Sequence, residues 1–347
     1  MTRITLFLSS AFLSCLSSLA FSAILIVDNN IPSTSVYTTL QDAHDAASNG
    51  DIIQVIPSNS AYTGITVGKQ LEFIGAGFSP LNFDGIFIKH TRIDGTVNFS
   101  GESEGSRIKG FGGQFEVLII ANNITVQKCF LRRIQLGSGG TAYNIMIASN
   151  LIVPTNYYPF EICYSNSSSF SFNLLNNIVY APDYPSIVFN SGYETYYYGG
   201  WQSRYVSLNG NCFFVNNTFI LYNGGGSTFL VCPASDYDAT IMNNIGNIEF
   251  SDSPFHTYNV TGPDALTCIT SDYHTAANSS AIDSGNPNIA YNDLDCSRND
   301  CGAYGGPTPF VDGGIPGLPA IYEINGPGVA TPNEAIPIQI KAKTNRE

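Results

Sequence analysis

One short pattern, recurring between Asn122 and Phe250, restricts what this chain can fold into more than any other feature. With Cys129, Asn150, Asn177, Asn217 and Asn244 as anchors, Val126, Ile147, Leu174, Phe214 and Ile241 stand three positions before them. Ile124, Ile145, Phe172, Cys212 and Ala239 stand five before, and Leu131, Ile152, Val179, Phe219 and Gly246 stand two after. The anchors are 21, 27, 40 and 27 residues apart. A local pattern that returns at variable spacing describes stacked coils joined by loops of different length.

Within each unit the apolar positions alternate with period two, as in a strand with one buried face. The step to the anchor is odd, so the alternation breaks there and the chain turns. Asparagine tolerates the left-handed backbone such a turn needs, and stacked asparagines can hydrogen-bond along a ladder. Cys129 stands in that ladder as a small, buried replacement. These features predict an all-β solenoid, a right-handed parallel β-helix, since parallel crossovers are right-handed almost without exception. A β-sandwich with chance repeats does not explain the aligned anchors.

The chain has 347 residues, a net charge of −13 and only 12% charged residues. The acidic balance argues against nucleic acid and against anionic membrane surfaces as partners. Residues 1–22 read as a secretory signal: Arg3, an apolar and serine-rich run, then Ala20-Phe21-Ser22. That run is short and interrupted for a membrane span, so no membrane insertion is expected. Export permits disulfides. Seven of the eight cysteines follow the signal, so at least one is unpaired.

Further along, Thr38 or Thr39 caps a short helix with Leu40, Ala43, Ala46 and Ala47 on one face and Asn49-Gly50 as its stop. His44 is placed on that helix's surface. Strands are expected at Asp51–Pro57, Tyr62–Val67 and Leu71–Gly77, then at Ile86–Ile88, Val97–Phe99, Ile108–Phe111 and Val117–Ile120. The stretch TTLQDAHDAASNGDIIQVIPSNSAYTGITVGKQLEFIGAG resembles the N-terminal capping helix and first coils of secreted right-handed β-helix proteins of the pectin-lyase-like superfamily. A second stretch, AIDSGNPNIAYNDLDCSRNDCGAYGGP at Ala281–Pro307, resembles a C-terminal motif of bacterial proteins of that type. Cys296 and Cys301 stand where the motif has other residues, and these paired departures suggest a disulfide between them. The resemblance implies a β-helix domain over 23–307 and a capping helix that covers the open end of the stack. It implies no particular activity. Residues 308–319, rich in Gly and Pro, read as a linker. Residues 320–347 read as a C-terminal tail, the start of a β-sandwich module or a segment that pairs elsewhere.

Enzymes on this fold are expected to use acids, Ca²⁺ and a basic residue in a groove along one face. Arg107-Ile108-Lys109 resembles one piece of the polygalacturonase signature, but its acidic and Gly-His-Gly pieces are missing, as are the pectinesterase motifs. Lyase chemistry needs an Arg or Lys base beside acidic Ca²⁺ ligands. The central coils offer Lys128, Arg132, Arg133 and Arg204, with only Glu116, Glu161, Asp183 and Glu194 as acids. No catalytic residue is assigned. The four histidines show no zinc spacing. Asp293, Asp295 and Asp300 offer oxygens for Ca²⁺, but the same residues suit Asx turns, and the latter reading is preferred. No other cofactor is expected. The Asn-x-Ser/Thr sequons at Asn98, Asn123, Asn166, Asn216, Asn259 and Asn278 are taken as incidental in so asparagine-rich a chain.

The loops supply the ligand candidates. Tyr157, Tyr158, Tyr193, Tyr196, Tyr197, Tyr198, Trp201 and Tyr205 fall in the two longest interruptions of the repeat, and aromatic faces stack on sugar rings. The expectation is a secreted, non-catalytic β-helix protein that binds a polysaccharide or cell-surface glycan through these loops. The competing readings are a polysaccharide lyase or glycoside hydrolase, and a structural or adhesive exoprotein.

Overall fold

The computed structural model describes residues 22–30, 36–78, 90–137, 142–154, 160–162, 170–181, 188–189, 191–192, 205–206, 212–221, 229–231, 239–250, 256–314, 320–325 and 339–343. The signal segment and the strand expected at Ile86–Ile88 lie outside them. Three parallel sheets of ten, eight and six strands run the length of a right-handed β-helix. The first coils pass from the first sheet to the second and back, and from Thr125 on each coil passes from the first sheet through a tight turn to the third before reaching the second. One such coil consists of Thr125–Gln127, Phe130–Leu131 and Arg133–Leu136.

The repeat residues are the rows of this stack. In the first sheet Val126, Ile147, Leu174, Phe214 and Ile241 lie side by side in register. In the third sheet Leu131, Ile152, Val179, Phe219 and Gly246 do the same. Their side chains belong to one continuous core, where each large apolar residue contributes about 1.5–3 kcal/mol on burial.

The turn between the first and third sheets takes two residues. The left-handed one is not the anchor but the residue before it: Lys128, Ser149, Asn176, Asn216, Asn243 and Tyr258 all have φ between 52° and 59°. The anchor points inward and carries the ladder. The Oδ1 atoms of Asn150, Asn177, Asn217 and Asn244 each accept the backbone N–H of the preceding anchor at 2.9–3.0 Å. Side-chain amides of Asn150, Asn177 and Asn217 donate to the next Oδ1 and also to backbone carbonyls. The ladder runs one rung further than the sequence pattern, to Asn259, whose Oδ1 accepts from both nitrogens of Asn244. Fully buried amides are tolerated because their hydrogen-bonding groups are satisfied.

Helix α1, Leu40–Ala46, leaves the first strand and covers the N-terminal end of the core with Leu40, Ala43 and Ala47. Thr39 is its N-cap, accepting from the Asp42 N–H at 3.1 Å. Two expectations change here: Ala46 is exposed, and His44 is buried. His44 Nε2 accepts the Gly68 N–H at 3.1 Å, and its Nδ1 lies 3.0 Å from Asp45 Oδ1. Lys69 Nζ donates to the carbonyls of His44, Asp45 and Ala47, satisfying the helix C-terminus with a cation.

The C-terminal motif is a strap that returns along the row of left-handed turn residues. Cys301 Sγ donates to the Tyr258 carbonyl, and the Gly302 N–H donates to the Asn243 carbonyl. Asn216 Nδ2 donates to Asn299 Oδ1 and the Asp300 carbonyl, and Asn176 Nδ2 to the carbonyls of Ala303 and Gly305. Phe310 then packs on Phe78, Leu151, Ile178 and Ala303, and the Gly313 carbonyl accepts the Phe78 N–H. The motif's glycines are required by this docking. At Gly302, with φ at 106°, a Cβ would lie 2.6 Å from Ile245 Cγ2, and at Gly305 it would collide with the Asp300 carbonyl.

The strap takes in part of the expected linker over 308–319: Phe310 and Gly314 are buried, Phe310 against Phe78, Leu151 and Ile178, while Thr308 and Asp312 are exposed and 315–319 lie outside the described residues. It also corrects the expected Cys296–Cys301 disulfide, since both cysteines are unbridged. Cys301 turns into the small core of Ile245, Ala265, Cys268 and Ala281, where its thiol meets the Tyr258 carbonyl and Ser284 Oγ. Cys296 sits in an exposed left-handed turn position. In the tail, Ala320–Asn325 and Gln339–Lys343 form an antiparallel pair.

Candidate ligand-binding face

Charged side chains from adjacent coils converge on the outward face of the second sheet. Phe115–Ile119 pairs with Ile93–Phe99 on one side and Arg133–Leu136 on the other. Alternation sends Val97, Val117 and Ile134 into the core and puts Thr96, Glu116 and Arg133 in one outward row. The Arg133 guanidinium donates to Glu116 Oε2 at 2.7 Å. Arg132, at the turn from the third sheet, reaches Glu116 Oε1 at 3.4 Å. All three side chains are at least two-thirds buried, with 14% of Glu116 and 17% of Arg133 exposed. One carboxylate is thus held between two guanidiniums, Arg133 by a hydrogen bond and Arg132 by an ion pair.

A second outward row holds Asn98, Leu118 and Gln135. Asn98 Oδ1 is buried and has no hydrogen-bond partner among the described residues. The next second-sheet strand, Phe160–Ile162, pairs with Arg133–Leu136, so Glu161 falls beside Gln135 in register. Val188–Phe189 follows it. Chain connectivity ties the aromatic segments to these two strands. Residues 155–159 enter the first and 163–169 leave it; 182–187 enter the second, and 193–204 follow it after Ser191–Gly192. Tyr157, Tyr158, Tyr193, Tyr196, Tyr197, Tyr198 and Trp201 themselves lie outside the described residues. Tyr205 belongs to a two-residue strand, Tyr205–Val206, that pairs with Ser191–Gly192.

The first sheet presents a different outward face. Lys109 Nζ and Glu72 Oε1 form an ion pair at 2.6 Å beside Arg107. Tyr143 and Phe213 are exposed farther along it. Arg107-Ile108-Lys109 is one strand of this sheet, with Ile108 buried and Lys109 paired.

The acidic loop does not assemble a ligand set. Among the described residues no group of three His, Cys, Asp or Glu side chains is placed to hold a metal ion. Asp293 accepts the N–H groups of Asp300 and Gly306, Asp295 accepts from Ser297, and Asp300 Oδ1 accepts the Asp283 N–H. Only the Asp295 bond is of the Asx type, two residues on; those of Asp293 and Asp300 reach across 7, 13 and 17 positions within the strap. Burial raises the carboxyls of Asp293 and Asp300 above the ordinary range, with neighbouring aspartates adding to the effect. The Ser297 hydroxyl and N–H lower Asp295.

Glu116, Arg132 and Arg133 are each visible in the sequence as charges of the central coils, but not as one group. The signal was available in the spacing: Glu116 and Arg133 are 17 positions apart, one coil of the stack. The cluster of His274, Asp272, Asp312 and Tyr304 is not visible there at all, because two of its members lie in the strap.

No family model matches the sequence, and no curated protein matches it. A solved structure it does match is the crystal structure of pectate lyase Pel9A, at 13% identity and a TM-score of 0.34, over 82% of this chain and 96% of that one.

Proposed function

We propose that this chain is an exported, non-catalytic parallel β-helix that binds a polysaccharide or cell-surface glycan on the outward face of the second sheet. The observation that carries the reading is connectivity. In the sequence, the segment with Tyr157 and Tyr158 directly precedes Phe160–Ile162, the strand that pairs with Arg133–Leu136, and the segment with the tyrosine run and Trp201 runs between Ser191–Gly192 and Tyr205–Val206. Aromatic rings, guanidinium groups and amides are together the side chains that suit a sugar, which offers apolar ring faces and hydroxyls. The non-catalytic part rests on Glu116. Its carboxylate is already engaged on both oxygens, by a hydrogen bond from Arg133 and an ion pair with Arg132, which supports a binding role rather than a catalytic one.

The test is incubation of the purified protein, with Ca²⁺, against uronate-rich and neutral polysaccharides. Binding without new reducing ends or ultraviolet-absorbing unsaturated products is the expected result. Either product would overturn the non-catalytic reading in favour of a lyase or hydrolase. Loss of binding in a Tyr197→Ala, Trp201→Ala double variant is expected, and unchanged binding would remove the aromatic segments from the site.

A further inference from the structure

On the outward face of the second sheet every arginine is matched by acid. The described strands of that sheet from Tyr62–Val67 to Phe160–Ile162 hold Asp94, Glu116, Arg133 and Glu161 as their charged residues. Arg132 reaches in from the turn, and Glu116 engages both guanidiniums, Arg133 at 2.7 Å and Arg132 at 3.4 Å. Asp94 is exposed, and Glu161 stands beside Gln135 in register. Arg92, just ahead of Ile93–Phe99, is turned to the Asn59 carbonyl at 2.6 Å. Among these charges the register places Thr96, Asn98 and Gln135, whose hydroxyl and amide groups both donate and accept hydrogen bonds.

We propose that this face takes an uncharged glycan, and that Glu116 is the residue that sets the choice. The inference rests on the reading of the face as a glycan site and adds the class of glycan. Arg132 and Arg133 without Glu116 would suit an anionic sugar, since a guanidinium pairs with a carboxylate or sulfate through parallel N–H groups. Glu116 takes that place from within the protein. An anion arriving from solvent meets guanidiniums that are already engaged, and Asp94 and Glu116 repel it. The chain's net charge of −13 adds repulsion at longer range. A neutral sugar meets neither obstacle, and its hydroxyls complement the groups of Thr96, Asn98 and Gln135.

The direction of a mutational effect separates this role from a purely structural one. If Glu116 only held two arginines in place, its removal would weaken binding of every kind. If it excludes anions, its removal produces a gain. Glu116→Gln raises the charge of the face by one and takes from both guanidiniums their carboxylate. Affinity for a polyuronate should then rise about fivefold, the scale of one partly exposed ion pair. The gain should fade as salt is added.

The experiment is equilibrium binding of the full chain to three sets of soluble polymers: neutral polysaccharides, polyuronates, and the same polyuronates with their carboxylates reduced to primary alcohols. The wild type should prefer neutral or carboxyl-reduced chains, with affinity unchanged between about 0.05 M and 0.5 M salt. Glu116→Gln should gain polyuronate binding. A wild type that favours polyuronates, or whose binding weakens with salt, would overturn the neutral assignment and leave the glycan face standing. A folded Glu116→Gln without the gain would remove Glu116 as the selecting residue. Binding to no polymer of any set would overturn the glycan face, and this inference with it. Should Glu116→Gln not fold, Leu118→Lys adds one cation to the same face with Glu116 untouched. The same gain of about fivefold in polyuronate affinity is expected of it, and its absence would count against charge as the basis of the choice.

Discussion

Asn176 donates its side-chain amide to the Ala303 carbonyl at 3.0 Å, across 127 positions of sequence. With Asn216 and Asn243 it makes the row of left-handed turns that receives the strap. Asparagine therefore does two different jobs in adjacent positions of the turns at Asn176-Asn177, Asn216-Asn217 and Asn243-Asn244. The first residue accepts a backbone conformation and holds the strap outside; the second fills the ladder inside.

That division predicts how variants of Asn216 separate. Asn216→Gly keeps the left-handed conformation at φ 56° but removes the bonds to Asn299, Asp300 and Asn243. It should cost about 2–3 kcal/mol. Asn216→Ala should cost about 1 kcal/mol more, because a Cβ is disfavoured there. Chemical denaturation of both variants measures the two terms, and equal losses would show that backbone conformation is not limiting at this turn.

The inner ladder should be less forgiving. Asn177→Ala deprives the N–H and side-chain amide of Asn150 of their shared acceptor and leaves the Ile147 and Leu175 carbonyls without a side-chain donor. Several buried groups are affected together, so a loss of about 4 kcal/mol is expected. A loss below about 1 kcal/mol by urea unfolding would mean that the ladder relaxes or admits water.

How much of this was legible follows from the distance over which each interaction acts. The in-register rows and the first rungs of the ladder were readable because each coil repeats the same local alternation, and Thr39 announced its helix by position alone. The left-handed residue was assigned one position too late. A break in period-two alternation locates a turn within two residues but does not say which of them takes positive φ. Asn259 escaped because the spacing falls to 15 residues and the apolar pattern around it fades. The strap was recognised as a motif but not as a contact, since its partners lie 43 or more positions upstream. Reading the motif's cysteines as a local pair failed for the same reason: Cys301 answers to Tyr258, not to Cys296. Glu116 and Arg133 became neighbours only once the coil register was known.

The thiols provide a check on that correction. Burial pushes Cys129 up to about 12 and Cys212 and Cys301 up to about 11, so all three remain neutral thiols at pH 8. Cys296 is exposed. Alkylation of the native protein, mapped by mass spectrometry, should label Cys296 and leave Cys129, Cys212 and Cys301 unmodified until denaturant is added. A Cys296–Cys301 peptide recovered under non-reducing conditions would reinstate the bridge and require the strap to be rebuilt.

The acidic residues that close the strap make the last prediction, and its sign is the reverse of the usual one for a carboxylate. Burial raises the folded-state carboxyl of Asp300 above its unfolded value, about 3.9, with Asp283 and Asp295 adding repulsion. The folded state then holds its proton more tightly than the unfolded state. The contribution to stability is present at low pH and declines as pH rises through the window between the two values. Asp300→Asn keeps an Oδ1 acceptor for the Asp283 N–H and removes the charge. Its melting temperature should exceed that of the wild type at pH 7, and the gap should close as pH falls below the ordinary carboxylate range. Since Asp293, Asp295 and Asp300 are engaged by backbone N–H groups, EDTA should leave the wild-type melting temperature unchanged. A chelator-induced drop, together with a less stable Asp300→Asn at pH 7, would place a cation among these carboxylates and make the charge a ligand.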